Sequence, residues 1–268
     1  MFNEIFRGLV LGLLQGITEF FPVSSSGHLI LVPRLFGWDD QGLAFDTVLH
    51  LGTLTALVWV FWKDIVDSLK GTFVQRDKAS ARLVLMVILA AIPGVVFGGL
   101  FGRAIESFTR GPLFVALGLF FWGFVLFAAD RYAQSRKHGI RELSDMRWIQ
   151  VIVVGFAQAI ALFPGTSRSG ITISAGLFGG LQRELAVRFS FLVSIPTVAA
   201  AGAYGAYQLA QTGTTSFGMT ELIVGFVTAA ASGVWAIRFL LSYVSKKNFN
   251  VFVLYRIVLA VVVLAIVR

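Results

Sequence analysis

Cysteine is absent from this chain, and charge is scarce: Asp, Glu, Lys and Arg together make up 13% of its 268 residues. The first absence excludes disulfides, a thiolate nucleophile and thiolate metal ligation, and it leaves the redox compartment unread. The second excludes an ordinary soluble domain, because 57% of the residues are hydrophobic and several uncharged runs reach membrane-spanning length. The composition is that of a polytopic integral membrane protein. Acidic residues are the rarer sign, 14 against 22 basic, for a formal net charge of +8. The basic residues cluster in short segments between apolar runs, which fits membrane orientation and not nucleic-acid binding. Residues Met1 to Val32 lack a small-residue cleavage site and carry a polar interruption, so they are expected to stay in the mature protein.

What is present begins with two polar, serine-rich stretches set in apolar sequence, QGITEFFPVSSSGH (Gln15 to His28) and PGTSRSGIT (Pro164 to Thr172). Polar groups at membrane depth are costly unless they line a buried cavity, so these stretches mark the candidate site. They are also related to one another. A shift of 143 positions superposes Gly12 on Gly155, Gln15 on Gln158, Ile17 on Ile160 and Phe20 on Phe163, and Ser24, Ser26 and Gly27 then fall on Ser167, Ser169 and Gly170. An internal duplication follows, with one copy over about 1–130 and the other over about 148–268, both within a single membrane domain.

Hydropathy predicts six helical crossings, near Leu43 to Trp62, Leu83 to Gly102, Leu113 to Ala129, Phe189 to Ala210, Leu222 to Leu241 and Phe249 to Val267. The regions about Ile5 to Leu35 and Ile149 to Leu181 are broken by Pro22 and Pro164 with nearby Gly and Ser, and each reads as a re-entrant helical hairpin. The fold expected is therefore all-α, six transmembrane helices plus two re-entrant hairpins. Three crossings separate the hairpins, so the second enters from the opposite face and the repeat has inverted topology. Lys63, Lys70, Arg76, Lys78 and Arg82 share one loop in this reading, Arg131, Arg136, Lys137, Arg141 and Arg147 another, and Lys246 and Lys247 a third on the same side. Those loops are expected in the cytoplasm, and the Gln211 to Thr220 connection, which has no basic residue, outside. Trp59, Trp62, Trp122, Trp148 and Trp235 lie mostly near span ends and read as membrane anchors.

Arg168 is the only basic residue in either polar tip, and a planar guanidinium suits phosphate oxygens better than lipid. Ser167, Ser169 and Thr172 add hydroxyls, while Gly165 and Gly170 admit backbone N–H groups to an anion at a helix start. The first hairpin adds Gln15 and Glu19, four apart and so on one helical face, then Ser24, Ser25, Ser26 and His28. A nucleophile, a proton-transfer group and positive charge are the requirements of phosphate-ester hydrolysis. Ser25 with His28 or Glu19 as base satisfies them, and so does attack by His28 itself. A divalent cation, magnesium or calcium, can bridge Glu19 and Gln15 to a substrate phosphate, although the ligands are too few for an all-protein cage. Arg256 and Arg238 lie nearer predicted cytoplasmic ends and are expected to snorkel. Asp46 and His50 form a further i,i+4 polar pair, either supporting the site or structural.

Together these motifs resemble the bacterial undecaprenyl-diphosphate phosphatases of the bacitracin-resistance type. The likeness runs over essentially the whole chain and includes FDTVLHLGTLTAL at Phe45 to Leu57. It implies removal of the terminal phosphate of undecaprenyl diphosphate near the outer face of the bacterial plasma membrane, regenerating the carrier for peptidoglycan synthesis. It also implies catalytic or substrate-binding roles for Glu19, Ser25, His28 and Arg168, with Ser167, Ser169 and Thr172 in the second motif. Gln15 departs from the glutamate that many relatives carry, which moves any metal-holding role toward Glu19. Partners expected are the polyprenyl diphosphate and membrane lipids, with no nucleic acid and with a homodimer left open. A transporter or lipid flippase built on inverted repeats is the rival from another class, since it needs the same broken helices but no nucleophile. An intramembrane serine protease is disfavoured, because it gives the arginine-containing second motif no purpose.

Overall fold

The computed structural model describes residues 2–39, 41–136, 138–212 and 217–266. Lys137 and the centre of the Gln211 to Thr220 connection, Thr214 included, lie outside the described residues. Among the described residues the chain forms eleven α-helices and no strand: α1 (Phe2–Thr18), α2 (Ser25–Leu35), α3 (Gly42–Val60), α4 (Trp62–Phe73), α5 (Lys78–Thr109), α6 (Pro112–Ser135), α7 (Trp148–Ile160), α8 (Arg168–Phe178), α9 (Arg183–Thr212), α10 (Met219–Val244) and α11 (Asn250–Ile266). Four helices are long and apolar enough to cross a membrane: α5 over Lys78–Gly102, α6, α9 over Arg183–Gln208, and α10. A fifth span results if the pair α3 and α4, bent by 68°, counts as one, and α7 and α11 are shorter apolar helices. Outward-facing Phe, Leu, Ile and Val are abundant along α5, α6, α7 and α11, as a lipid-facing surface requires. The protein is a multi-pass, all-helical membrane protein.

The bend between α3 and α4 departs from the sequence reading, which places Lys63 and Lys70 in a loop. The chain turns at Phe61 (φ −97°, ψ 15°) and continues as helix, and Asp64 on α4 pairs with Arg188 on α9. Lys78 likewise opens α5. The α5 start is capped by Asp77, whose carboxylate accepts from the N–H groups of Ser80 (2.8 Å) and Ala79 (3.3 Å). Hydrogen bonds from Ser80 and then Ala79 hold that carboxyl below its ordinary range. This cap is therefore intact at neutral pH and is lost as acid protonates Asp77.

Close helix approach is written in small residues. Gly8, Gly12 and Gly16 form a stripe on α1 that meets Gly225, Ala229 and Gly233 on α10. A methyl group added at Gly8, Gly12 or Gly16 would lie 2.7, 2.5 or 2.5 Å from the carbonyl oxygens of Glu221, Gly225 and Ala229. The two backbones are thus in contact along three turns, the small-residue packing that membrane helices use in place of hydrophobic driving force. In the same way Gly155 on α7 lies against Ala90 and Pro93 of α5.

The two ends of each short helix pair lie close together. Arg7 on α1 donates to the carbonyl of Asp39 beyond α2 at 3.1 Å, and Phe6 stacks edge-on with Trp38 at 6.2 Å. In the second pair, Gln150 at the start of α7 donates to the carbonyl of Gly179 just past α8 at 2.9 Å. The first closure lies at the molecular end that also holds Phe217, Glu221 and the Arg110–Asp46 pair. The second lies at the other end, where Arg82 donates to Ser144 and Met146 carbonyls and the buried Asp130 accepts from Arg183 Nε at 2.5 Å.

Candidate functional site

Two turns, each leading into a short helix, meet in the middle of the bundle. Ser24 and Ser167 precede α2 and α8 with left-handed backbone, φ 74° and 73°, a conformation that costs a non-glycine residue on the order of 1–3 kcal/mol. Each hydroxyl then caps its helix, Ser24 Oγ accepting from Gly27 N–H (3.4 Å) and Ser167 Oγ from Gly170 N–H (3.1 Å). Ser26 and Ser169 hydroxyls lie 3.3 and 3.2 Å from the same two caps. The offset of 143 that aligns the sequences also aligns these hydrogen bonds. It sets Ser25 against Arg168, each the first residue of its helix, where the helix dipole and free N–H groups favour an anion.

Glu19, 9% exposed, is where the two turns come together. Its Oε2 accepts from Ser25 Oγ at 2.6 Å and from Gln15 Nε2 at 3.0 Å. Arg168 Nη1 lies 3.6 Å from Oε1, and His50 Nε2 of α3 lies 3.7 Å from Oε2. The four-residue spacing of Gln15 and Glu19 therefore does place them side by side. Two buried polar atoms in this cluster have no hydrogen-bond partner, Arg168 Nη1 and Gln15 Oε1. Arg168 Nη1 faces Glu19 across the ion pair without a hydrogen bond, and with Gln15 Oε1 it offers a donor and an acceptor to a polar ligand. Arg168 and His50 retain about a quarter of their side-chain surface, and Ser26 is exposed, so the cluster is open on one side with Glu19 as its floor. His50 lies eight residues into α3, roughly 12 Å of helical rise from its start.

His28 is held apart from Ser25. Its Nδ1 contacts the carbonyl of Ser24 at 2.7 Å and its Nε2 contacts the Tyr255 hydroxyl of α11 at 2.6 Å, with the two rings stacked. Both ring nitrogens are engaged, and the group hydrogen-bonded to Ser25 is Glu19. In the second motif the Gly170 N–H is committed to the Ser167 cap. Ser169 Oγ reaches across to the Phe21 carbonyl at 3.1 Å, tying one turn to the other. Thr172 bonds the Arg168 carbonyl (2.7 Å) and Ser190 of α9 (2.6 Å), so it fastens α8 from behind. Gly165 adopts φ 86° and lies against Val115 and Gly118 of α6, with no room for a side chain.

Arg256 overturns the snorkelling expectation. It is fully buried, and its guanidinium donates to the carbonyls of Pro22 (3.0 Å), Gly165 (2.9 Å), Thr166 (3.1 Å) and Leu119 (3.2 Å). Pro22 and Gly165 are themselves 143 apart, so one side chain clamps the same point of both turns. The available signal was its depth, six residues into an apolar helix, with tightly turned carbonyls nearby to receive it. Arg238, by contrast, is exposed as expected. Asp46 and His50 meet through the backbone, His50 Nδ1 lying 2.7 Å from the Asp46 carbonyl, and the Asp46 carboxylate accepts from Gln41 at 2.8 Å.

A polytopic membrane protein whose serine, buried carboxylate and partly exposed arginine converge from two broken helix pairs belongs to the class that handles charged lipid head groups within the bilayer. The family model described as Bacitracin resistance protein BacA matches residues 8–262, and the chain belongs to that family. Among its relatives, a protein of Moorella thermoacetica named undecaprenyl-diphosphatase is 44% identical, covering 98% of this chain and 97% of its own. Proteins of the same name from Caldicellulosiruptor bescii and Desulforudis audaxviator are 43% and 42% identical, each over 97% of this chain and 96% and 97% of their own.

Proposed function

We propose that this chain hydrolyses undecaprenyl diphosphate to undecaprenyl phosphate and inorganic phosphate, recycling the lipid carrier for peptidoglycan synthesis. The observation that carries the reading is the convergence of Ser25 Oγ, Glu19 and the Arg168 guanidinium, ion-paired with Glu19 but with no hydrogen bond at Nη1, at two helix N-termini. Ser25 Oγ attacks the terminal phosphorus while Glu19, 2.6 Å away, takes the hydroxyl proton. The bond from that phosphorus to the bridging oxygen breaks, and the lipid monophosphate departs with the electron pair. Arg168 and the two helix ends neutralise the charge on the transferring phosphoryl group. Glu19 passes the proton it took to the departing monophosphate, then takes a proton from water; the resulting hydroxide cleaves the phosphoserine, and the proton returns to Ser25 Oγ as phosphate is freed. His28, bonded to Ser24 and Tyr255, holds the turn that presents Ser25. Ser24, Ser26, Ser167, Ser169, Gly165, Gly170 and Thr172 shape and fasten the two turns around the diphosphate.

A divalent cation, magnesium or calcium, fits as a group of low denticity: Glu19 and the orphaned Oε1 of Gln15 are hard oxygen donors, and phosphate and water complete such shells. When bound it would offset charge on the diphosphate.

For the arrangement in the bilayer, we read six crossings by α3, α5, α6, α9, α10 and α11, with α1–α2 and α7–α8 as re-entrant hairpins from opposite faces. The matched caps at Ser24 and Ser167 and the packing of α1 on α10 and α7 on α5 support a duplication with inverted topology. The end holding Lys63, Lys70, Arg82, Arg136, Lys246 and Lys247 is cytoplasmic by its positive charge. The Glu19 cluster then opens toward the outer face of the bacterial plasma membrane. A transporter or flippase is less favoured, because anion binding alone gives no reason for a serine hydroxyl on a buried carboxylate.

Phosphate release from undecaprenyl diphosphate by purified protein tests the activity, and radiolabelled terminal phosphate should be trapped on Ser25 and not on a histidine. A folded wild-type protein that releases no phosphate would sink the reading.

A further inference from the structure

We propose that His50 is a nitrogen ligand of the divalent cation, completing a donor set with Glu19 and Gln15. The inference deepens the phosphatase reading and rests on it for the cation's purpose. His50 Nδ1 lies 2.7 Å from the Asp46 carbonyl, an oxygen that can only accept, so Nδ1 carries a hydrogen and a metal ion would be met by Nε2, whose lone pair is open in the neutral ring. That is the second-shell arrangement by which proteins fix a metal-binding imidazole. The freed Nε2 faces Glu19 Oε2 at 3.7 Å. Two donors each about 2.1 Å from one ion lie about 3.0 Å apart at a right angle and about 4.2 Å apart when opposed. The observed spacing falls between these limits, so one ion can bridge both without moving either helix.

Gln15 adds an independent observation. It is fully buried, its amide nitrogen is committed to the same Glu19 oxygen, and its Oε1 has no partner. An amide held by its nitrogen beside the bridging position, with its oxygen empty, supplies the third donor. Arg168 approaches Oε1, whereas Oε2 accepts from both Ser25 and Gln15, so an ion seated between Oε2 and His50 takes the place of one of those two hydrogen bonds. Manganese, which takes the same oxygen donors as magnesium and calcium and also accepts an imidazole, is the probe suited to this set.

Electron spin echo spectroscopy of the purified protein with Mn2+ alone, no substrate added, reads the bond directly through modulation from a coordinated imidazole nitrogen. The modulation is expected in the wild type and in His138→Gln, where an exposed loop histidine is removed, and is expected to vanish in His50→Gln. His50→Ala should weaken Mn2+ binding at least about tenfold, in a variant that matches the wild type in helicity and elution volume. Modulation that survives in His50→Gln, or that is missing in the wild type, overturns the assignment. Neither result touches phosphate release, so failure here is distinguishable from failure of the phosphatase reading.

Discussion

Ser25 and Arg168 begin their helices at equivalent positions, yet one presents a hydroxyl and the other a cation, and the chemistry depends on that difference. Arg168→Ala removes the guanidinium that the proposed mechanism sets against the phosphoryl charge. Turnover of undecaprenyl diphosphate should fall at least about a hundredfold, as for loss of one preorganised transition-state donor; unchanged turnover in a folded variant would remove Arg168 from the mechanism. Arg256 acts differently, because its partners are backbone carbonyls of both turns. Arg256→Met keeps volume but orphans those buried acceptors at about 1–3 kcal/mol each, so both thermal stability and turnover should drop. Denaturation at the wild-type temperature would show that the clamp is not needed. At this scale Gln15, Glu19, Ser25 and Arg168 were legible, because polar side chains in apolar sequence have few reasons to be there. The pairing of His50 with Glu19 and the reach of Arg256 were not, since both depend on which helix lies opposite, and that is absent from a one-dimensional pattern.

The α1–α10 contact makes the element scale equally testable. Gly12 faces the Gly225 carbonyl so closely that even one methyl would be 2.5 Å away, and no flexible side chain can yield there. Gly12→Leu should therefore cost more than the roughly 1–3 kcal/mol of ordinary overpacking. It should appear as loss of monodisperse protein on extraction, whereas Gly99→Leu, which meets open space, should extract normally. Equal yields of the two would disprove backbone contact as the reason for the glycine stripe. The repeated turns could be recognised in sequence because a left-handed serine cap followed by serine and glycine needs those residues at fixed spacing. The bend at Phe61 carries neither proline nor glycine, and α4 mixes apolar with basic residues, so its helix looked like a loop. Asp64 pairing with Arg188 and the packing of α4 on α5 supply what the local sequence does not.

For the whole molecule, the proposed direction of the site follows from charge and from where each pair of short helices closes. The end with Asp130, Arg82 and Arg183 carries most of the basic residues, and the end with Arg7, Trp38 and Phe217 carries few. In the proposed orientation the second end faces outward, toward the diphosphate head groups of the outer leaflet. Because the chain has no cysteine, single substitutions report orientation without background. Met219→Cys, exposed at the start of α10, should react with a membrane-impermeant maleimide in intact cells. Ser135→Cys, exposed at the end of α6, should react only after the membrane is opened. The reverse pattern would turn the cluster toward the cytoplasm, and the substrate would then have to be drawn from the inner leaflet. Labelling of both in intact cells would mean instead that charge does not fix one orientation, and the site would be presented to both leaflets.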